Sequence, residues 1–170
     1  MHNGGFLIAN QRVARRAALF ALANLVVIGL VGSAAMPRKA KAQMTHDTLT
    51  LVTASGERKI DIEVARTLDE QAKGLMFRTA LADTAGMLFP YSPARELTMW
   101  MKNTYIPLDM VFIRSDGIVH RIEVRTEPLS ETVISSGGNV AAVLELAGGA
   151  AERLGVKAGD KVLFKPGFGK

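Results

Sequence analysis

The sequence predicts a mainly β (α+β) fold: a compact antiparallel β-sandwich or barrel with one or two short helices. Three observations carry this. Short β-rich runs follow one another from Thr48 to Phe164. Asp116-Gly117 lies between two apolar stretches, a strong two-residue hairpin signal. Helical patterns are few and brief, so no alternation of strands with long crossover helices emerges.

Thr48–Val52 and Lys59–Val64 read as a hairpin across Ala54-Ser55-Gly56-Glu57. Thr67-Leu68-Asp69-Glu70 has the form of a capping box, with Thr67 holding the helix amides and Glu70 reaching back. Gly74 is the expected stop of that helix. Met87–Phe89 is a short apolar run, and Pro90 and Pro93 then break the chain. Leu97–Asp109 follows, holding the single Trp of the sequence. If extended, it puts Leu97, Met99, Met101 and Asn103 on one face and Thr98, Trp100, Lys102 and Thr104 on the other. Large apolar groups on both faces predict a central strand covered on both sides.

Beyond Pro107, Leu108–Ile113 reads as a strand returning through Asp116-Gly117 to Ile118–Arg125. The second of these alternates, with Val119, Arg121, Glu123 and Arg125 forming a wet face. Residues 126–139 are polar and predict a long loop. Val140–Leu146 is the next strand, Gly148-Gly149 leads into a helical turn at Ala150–Leu154, and Lys161–Phe164 is the last strand. No internal repeat is visible.

Charge divides the chain in two. Residues 1–42 hold no Asp or Glu but carry Arg12, Arg15, Arg16, Arg38, Lys39 and Lys41. The 20 residues Ala17–Met36 are uncharged, and Ala40-Lys41-Ala42 has the A-x-A form of a cleavage step. Residues 1–42 therefore read as a secretory signal peptide or, uncleaved, an N-terminal anchor, because 20 residues also approach the length of a membrane helix. The expected location is periplasmic or secreted, membrane-anchored only if the segment stays attached, and general secretion fits better than a twin-arginine route. Residues 43–170 form the single mainly β domain. Of 21 Lys and Arg, six precede Gln43, leaving 15 against 16 Asp and Glu. With no excess of cations to displace counterions, nucleic acid is not an expected partner. The absence of Cys excludes disulfides, thiol catalysis and Cys–zinc sites.

Five blocks occur in a distinctive order: Gly74-Leu-Met-Phe-Arg78, Gly86-Met-Leu-Phe89, Trp100-Met-Lys-Asn-Thr104, Ile106-Pro-Leu-Asp109, and Val143-Leu-Glu-Leu146 leading to Leu154-Gly-Val-Lys-Ala-Gly-Asp160. Together they resemble the bacterial and archaeal family called domain of unknown function 192, also known as uncharacterised protein family 0127. The resemblance covers about residues 48–165 and implies a compact, mainly β domain, often exported. It implies no established activity, substrate or cofactor. Members usually have an aromatic residue just before the Trp; here it is Met99, a change expected to alter packing only.

The candidate site is drawn from Arg78, Lys102, Asn103, Thr104, Asp109 and Glu145 around Trp100, because polar groups at the ends of apolar strands need partners. Asp109 and Glu145 could act as paired carboxylates in acid–base work or hold a cation. The structural alternative pairs Asp109 with Lys102 across the Pro107 turn, and Glu145 with Arg78. His120 is set apart from Asp109, since the hairpin register places them four residues along the sheet, roughly 13 Å. Met99 and Met101, two thioethers at i and i+2, offer a copper(I) alternative, against which stands plain core packing. Gly148-Gly149 offers amides to an anion, although a tight bend explains it equally. No nucleophile elbow, zinc-protease helix or phosphate loop is present. The leading functional expectation is an exported small-ligand or partner-binding module of the cell envelope, its partner a small polar ligand or an envelope protein. The second is an enzyme using Asp109 or Glu145 as acid or base; the third is the copper(I) holder. No cofactor is expected.

Overall fold

A computed structural model describes residues 44–168. Residues 1–42, on which the expectation of a signal peptide or anchor falls, lie outside the described residues. Seven strands and two short helices follow the order β1 (Thr45–Thr53), β2 (Gly56–Val64), α1 (Leu68–Lys73), β3 (Ala85–Met99), β4 (Leu108–Ile113), β5 (Val119–Glu123), β6 (Ile134–Ala147), α2 (Ala150–Leu154) and β7 (Lys161–Leu163). The strands form one sheet in the order β5-β4-β6-β3-β2-β1-β7. The sheet curls into a half-barrel until its edges touch. Ile118 bridges Lys161, Val119 N donates to Asp160 O at 2.9 Å, and Val162 N donates to Gly117 O at 2.8 Å. Among the described residues no helix is long and apolar enough to cross a membrane.

The mainly β expectation holds, with one correction of topology. The sheet is mixed, because β2 and β3 run parallel, Ile62 opposite Gly86, with α1 in the connection between them. A parallel pair requires such a crossover, and here the helix is only 6 residues long, too short to show as a rhythm in the sequence. The capping box forms: Glu70 N donates to Thr67 Oγ1 at 3.2 Å, and Thr67 N donates to Glu70 Oε2 at 2.9 Å. Gly74, at φ 47°, ends the helix in a backbone region that disfavours a side chain.

The expected central strand is a second correction. β3 runs through both prolines to Met99, absorbing them in a register shift between Pro90 and Arg95. The chain then leaves the sheet, and residues 100–107 form a turn-rich connector that leaves Trp100 48% exposed. Beside β3 lies the interior strand β6, paired antiparallel with β3 on one side and β4 on the other. It begins at Ile134, within the stretch that reads as loop. The first hairpin is also tighter than its sequence suggests, with Thr53 opposite Gly56 and only two residues between. The β4–β5 register matches the hairpin reading at Phe112–Arg121, then shifts before Ile113–Val119.

Two apolar layers flank the sheet. Leu49, Leu51, Ile60, Ile62, Val64, Leu88, Val111, Leu144 and Leu146 fill the concave side. Met87, Phe89, Met110, Phe112 and Val143 point the other way, under a cover that includes Leu75 and Met101. Coverage on both faces explains the unbroken apolar run Val140–Leu144. Gly86 is required by close approach, since a Cβ there would stand 2.7 Å from the Glu145 carbonyl oxygen.

Asp109 locks one end of the concave side. It is fully buried and accepts three backbone N–H groups: Arg125 at 2.8 Å, Gly149 at 2.9 Å and Ala151 at 2.8 Å. The N-cap of α2 is Gly149, which has no side chain, so a carboxylate from β4 does the capping instead. Truncation in Asp109→Ala orphans three amides at ~1–3 kcal/mol each and is expected to cost at least about 3 kcal/mol. Lys102→Met removes only a half-exposed ion pair and should cost less than ~1 kcal/mol. Urea denaturation of the two variants measures the difference.

Candidate functional site

Glu145 lies one residue along β6 from Leu146, the partner of Asp109, and so faces the opposite side of the sheet. Met87 of β3 and Met110 of β4 stand directly across from it. Its residue is 4% exposed, and among the described residues its carboxylate has no hydrogen-bond or ion-pair partner. It opens into a cavity of about 120 Å³. The walls come from three segments: Gln71–Met76 of α1 and the turn after it, Phe89, Tyr91, Thr98 and Met99 of β3, and Trp100, Lys102 and Thr104 of the connector.

Burial pushes the Glu145 carboxyl up from its ordinary 4.5 to about 8. No cation stands close enough to reverse this, so the acid is protonated at neutral pH. The Tyr91 phenol is raised as well, by its own burial first and by the Glu145 charge second, with Arg95 acting the other way. Arg95 sits 4.9 Å from the Tyr91 ring centre. At the mouth, the Lys102 ammonium lies 5.2 Å from the Trp100 ring centre and 3.4 Å from Glu131.

The rim is stitched from separate loops by backbone bonds. Phe77 N donates to Asn103 O at 2.9 Å, Leu129 N to Thr104 O at 3.0 Å, and Met101 N to Ser130 O at 2.9 Å. Phe77, Asn103 and Leu129 all adopt left-handed backbone, at φ 64°, 55° and 64°. Each such non-glycine residue costs on the order of 1–3 kcal/mol, and clusters of them occur where structure is held for function. Phe77 packs edge-on against Tyr105, with ring centres 5.9 Å apart, and both rings are exposed.

Of the seven residues singled out in the sequence, Trp100, Lys102, Thr104 and Glu145 meet at this cavity. The other three do not line it. Asn103 is in the rim, its side-chain amide 3.8 Å from Met76 Sδ. Arg78 pairs with Glu63 at 2.6 Å rather than with Glu145. Asp109 is on the other side of the sheet, satisfied by amides rather than by Lys102. Both expected ion pairs are therefore replaced, and the two carboxylates cannot work as a pair across a sheet. Met101 is buried and its Sδ accepts the Thr126 hydroxyl at 3.1 Å, whereas Met99 lines the cavity. This draws Met101 into the core and away from a shared copper(I) site. The amides of Gly149 and Ala151 are taken by Asp109 and are not offered to an anion. Sequence reading missed Tyr91, Thr98 and the Gln71–Lys73 turn of α1. Glu70 and Gly74 bracket that turn in the sequence, but nothing there shows which strand it covers.

Four of the five blocks that resemble a known family contribute here, through Gly74–Met76, Phe89, Trp100–Thr104 and Glu145; the Ile106–Asp109 block does not. A family model described as DUF192, "Uncharacterized ACR", matches residues 50–164. The chain belongs to the DUF192 family. Two solved structures are similar to this DUF192 chain. One, from Sinorhizobium meliloti 1021, is described as a candidate transcription regulator; it is 42% identical, with a TM-score of 0.69, and the match covers 72% of this chain and 96% of that one. The other, a protein of unknown function from Novosphingobium aromaticivorans DSM 12444, is 44% identical, with a TM-score of 0.70, covering 73% of this chain and 89% of that one. No curated protein matches the chain.

The buried acid gives stability a pH dependence. Between about 4.5 and 8 the folded protein keeps a proton that the unfolded chain has released. This contribution is full below about 4.5 and is lost as pH rises through about 8, by several kcal/mol at ~1.4 kcal/mol per unit. Glu145→Gln carries no titrating proton, so its stability should stay level over the same range. Denaturant unfolding of both proteins at pH 5, 6.5 and 8 checks this; parallel curves contradict it.

Proposed function

We propose that this DUF192 chain is exported to the cell envelope and that its domain is a small-ligand-binding module, with the Glu145 cavity as its site. The observation that carries the reading is the carboxyl group of Glu145. It makes no hydrogen bond or ion pair among the described residues, yet it is not sealed off, since it opens into the cavity; a ligand there can bond it without displacing a protein partner. Small-molecule sites have this make-up: apolar walls, a few convergent polar groups and a rim held in place. Trp100, Met99, Phe89 and Leu75 supply the walls; Thr98, Thr104, Tyr91 and Lys102 supply the polar groups. Export rests on the acid-free, arginine-bearing segment before Gln43.

A second reading, an enzyme using Glu145 as general acid or base, is favoured by the position of its titration near neutral pH, where proton transfer in both directions is efficient. Asp109 leaves that reading, because its oxygens are bound by backbone amides. Nucleic acid stays outside the proposal. The candidate-regulator description belongs to the Sinorhizobium protein, and here the residues from Gln43 onward hold 15 Lys and Arg against 16 Asp and Glu.

Native mass spectrometry of the protein isolated from its own envelope fraction tests function and export together. The expected mass is that of a chain starting at Gln43 plus a small molecule, with the added mass gone in Glu145→Gln. Full-length membrane-bound chain contradicts export. A bare mature chain, or a molecule retained equally by Glu145→Gln, contradicts the site. Recovery of a chemically altered molecule after incubation favours the enzyme.

A further inference from the structure

The cavity has two chemically different ends. Its floor is the Glu145 carboxyl, the only acidic group among its lining residues. Its mouth carries Lys73, in the last turn of α1, and Lys102 of the connector, whose half-exposed ammonium lies 3.4 Å from the more exposed Glu131 carboxylate. Between them the polar side chains are uncharged. Gln71 spends its amide hydrogens on the Ala65 and Pro90 carbonyls, both at 3.2 Å. The Thr104 hydroxyl donates to Lys102 O at 3.3 Å. Met87 and Met110, across the sheet from Glu145, bring no charge. The titratable groups that line the cavity with Glu145 are Lys73 of α1, Tyr91 of β3 and Lys102 of the connector; Glu131 pairs with Lys102 and Arg95 lies over the Tyr91 ring.

A ligand that is only cationic satisfies the floor but meets Lys73 and the partly neutralised Lys102 among the lining residues. One that is only anionic suits the mouth and leaves the carboxyl with a single proton to donate and no cation to answer it. A molecule with an ammonium at one end and an anionic group at the other matches both ends at once. The cavity, about 120 Å³, is somewhat smaller than the ~150 Å³ cavity that holds a benzene ring, so it encloses only a few heavy atoms.

We propose that the Glu145 cavity takes a small zwitterion of amino-acid type, its ammonium group against Glu145 and its carboxylate, sulfonate or phosphonate toward Lys102 and Lys73. This rests on the binding reading and names its ligand class. On entry the ammonium forms an ion pair with the Glu145 carboxylate, and the proton that Glu145 held passes to solvent. No covalent bond is made or broken. One proton is released per ligand bound at pH below about 8, and affinity rises about tenfold per pH unit in that range.

Isothermal titration of the protein as isolated from its producing cells, in two buffers of different ionisation enthalpy at pH 6.5, tests the assignment. The probes are glycine and β-alanine as zwitterions, propylamine as cation, propionate as anion and propionamide as neutral analogue. The expected result is binding of a zwitterion at least about tenfold tighter than propylamine or propionate, with about one proton released. Glu145→Gln should abolish that binding, and Lys102→Met should erase the preference over propylamine. If Glu145→Gln does not fold, by circular dichroism, the proton count on the unaltered protein decides alone. Preference for propionate or propionamide, or proton uptake, overturns the zwitterion and leaves a binding site standing. A free peptide binding where every small probe fails overturns the zwitterion in favour of a macromolecular partner. Failure of all these probes at millimolar concentration removes both the zwitterion and the binding reading.

Discussion

From Ala142 to Leu146, β6 is paired on both edges and buried on both faces, and each buried side chain on the strand must be apolar or be answered by a partner. Val143, Leu144 and Leu146 meet that constraint by composition. Ser136 meets it by bonding, since its hydroxyl accepts from Leu97 N at 2.9 Å and donates to Gly138 O at 2.7 Å. Glu145 meets it in neither way. It is tolerated because burial keeps it protonated and because its carboxyl opens into a cavity rather than into packed side chains. The cover over this face is built around that opening: a short capped helix, a connector that leaves the sheet after Met99, and loops joined by backbone bonds at three left-handed residues.

Asp109 and Glu145 show how environment divides one kind of side chain into two roles. They sit at neighbouring register positions on adjacent strands, yet on opposite faces. Asp109 accepts three amides and holds α2 against the end of the half-barrel, so its charge is fully used by the fold. Glu145 accepts none. Removing the first breaks structure; removing the second removes a chemical group from a cavity. The sequence presents both as acids in apolar strands, and nothing in their local pattern separates them.

The strands were legible where alternation or a continuous apolar run was clean: the first hairpin, β4, β5, β6 from Val140 and β7. The capping box, the Gly74 stop of α1 and the Gly148-Gly149 entry to α2 were legible because they are local chemistry. Three features were hidden for a physical reason. Pro90 and Pro93 read as breaks, yet a register shift lets β3 continue past them. The parallel β2–β3 pair depends on a crossover helix too short to announce itself. Trp100, expected inside, is half exposed because the chain leaves the sheet one residue before it. Lys102, Thr104 and Glu145, singled out for their need of partners, do line one cavity. The pairs expected for them, Lys102 with Asp109 and Glu145 with Arg78, do not form, because Glu131, Glu63 and the amide donors come from segments distant in sequence.

The claim on which all this depends is that Glu145 is a neutral, unpartnered acid facing an open cavity in the folded protein. Carbon-13 NMR titration of the Glu145 side-chain carboxyl, in the ligand-free protein, measures it directly. The account predicts a midpoint near 8, moved downward when a cation-bearing ligand binds. A midpoint at the ordinary glutamate value of 4.5 would contradict it, because the carboxylate would then have found a partner or water that this structure does not give it.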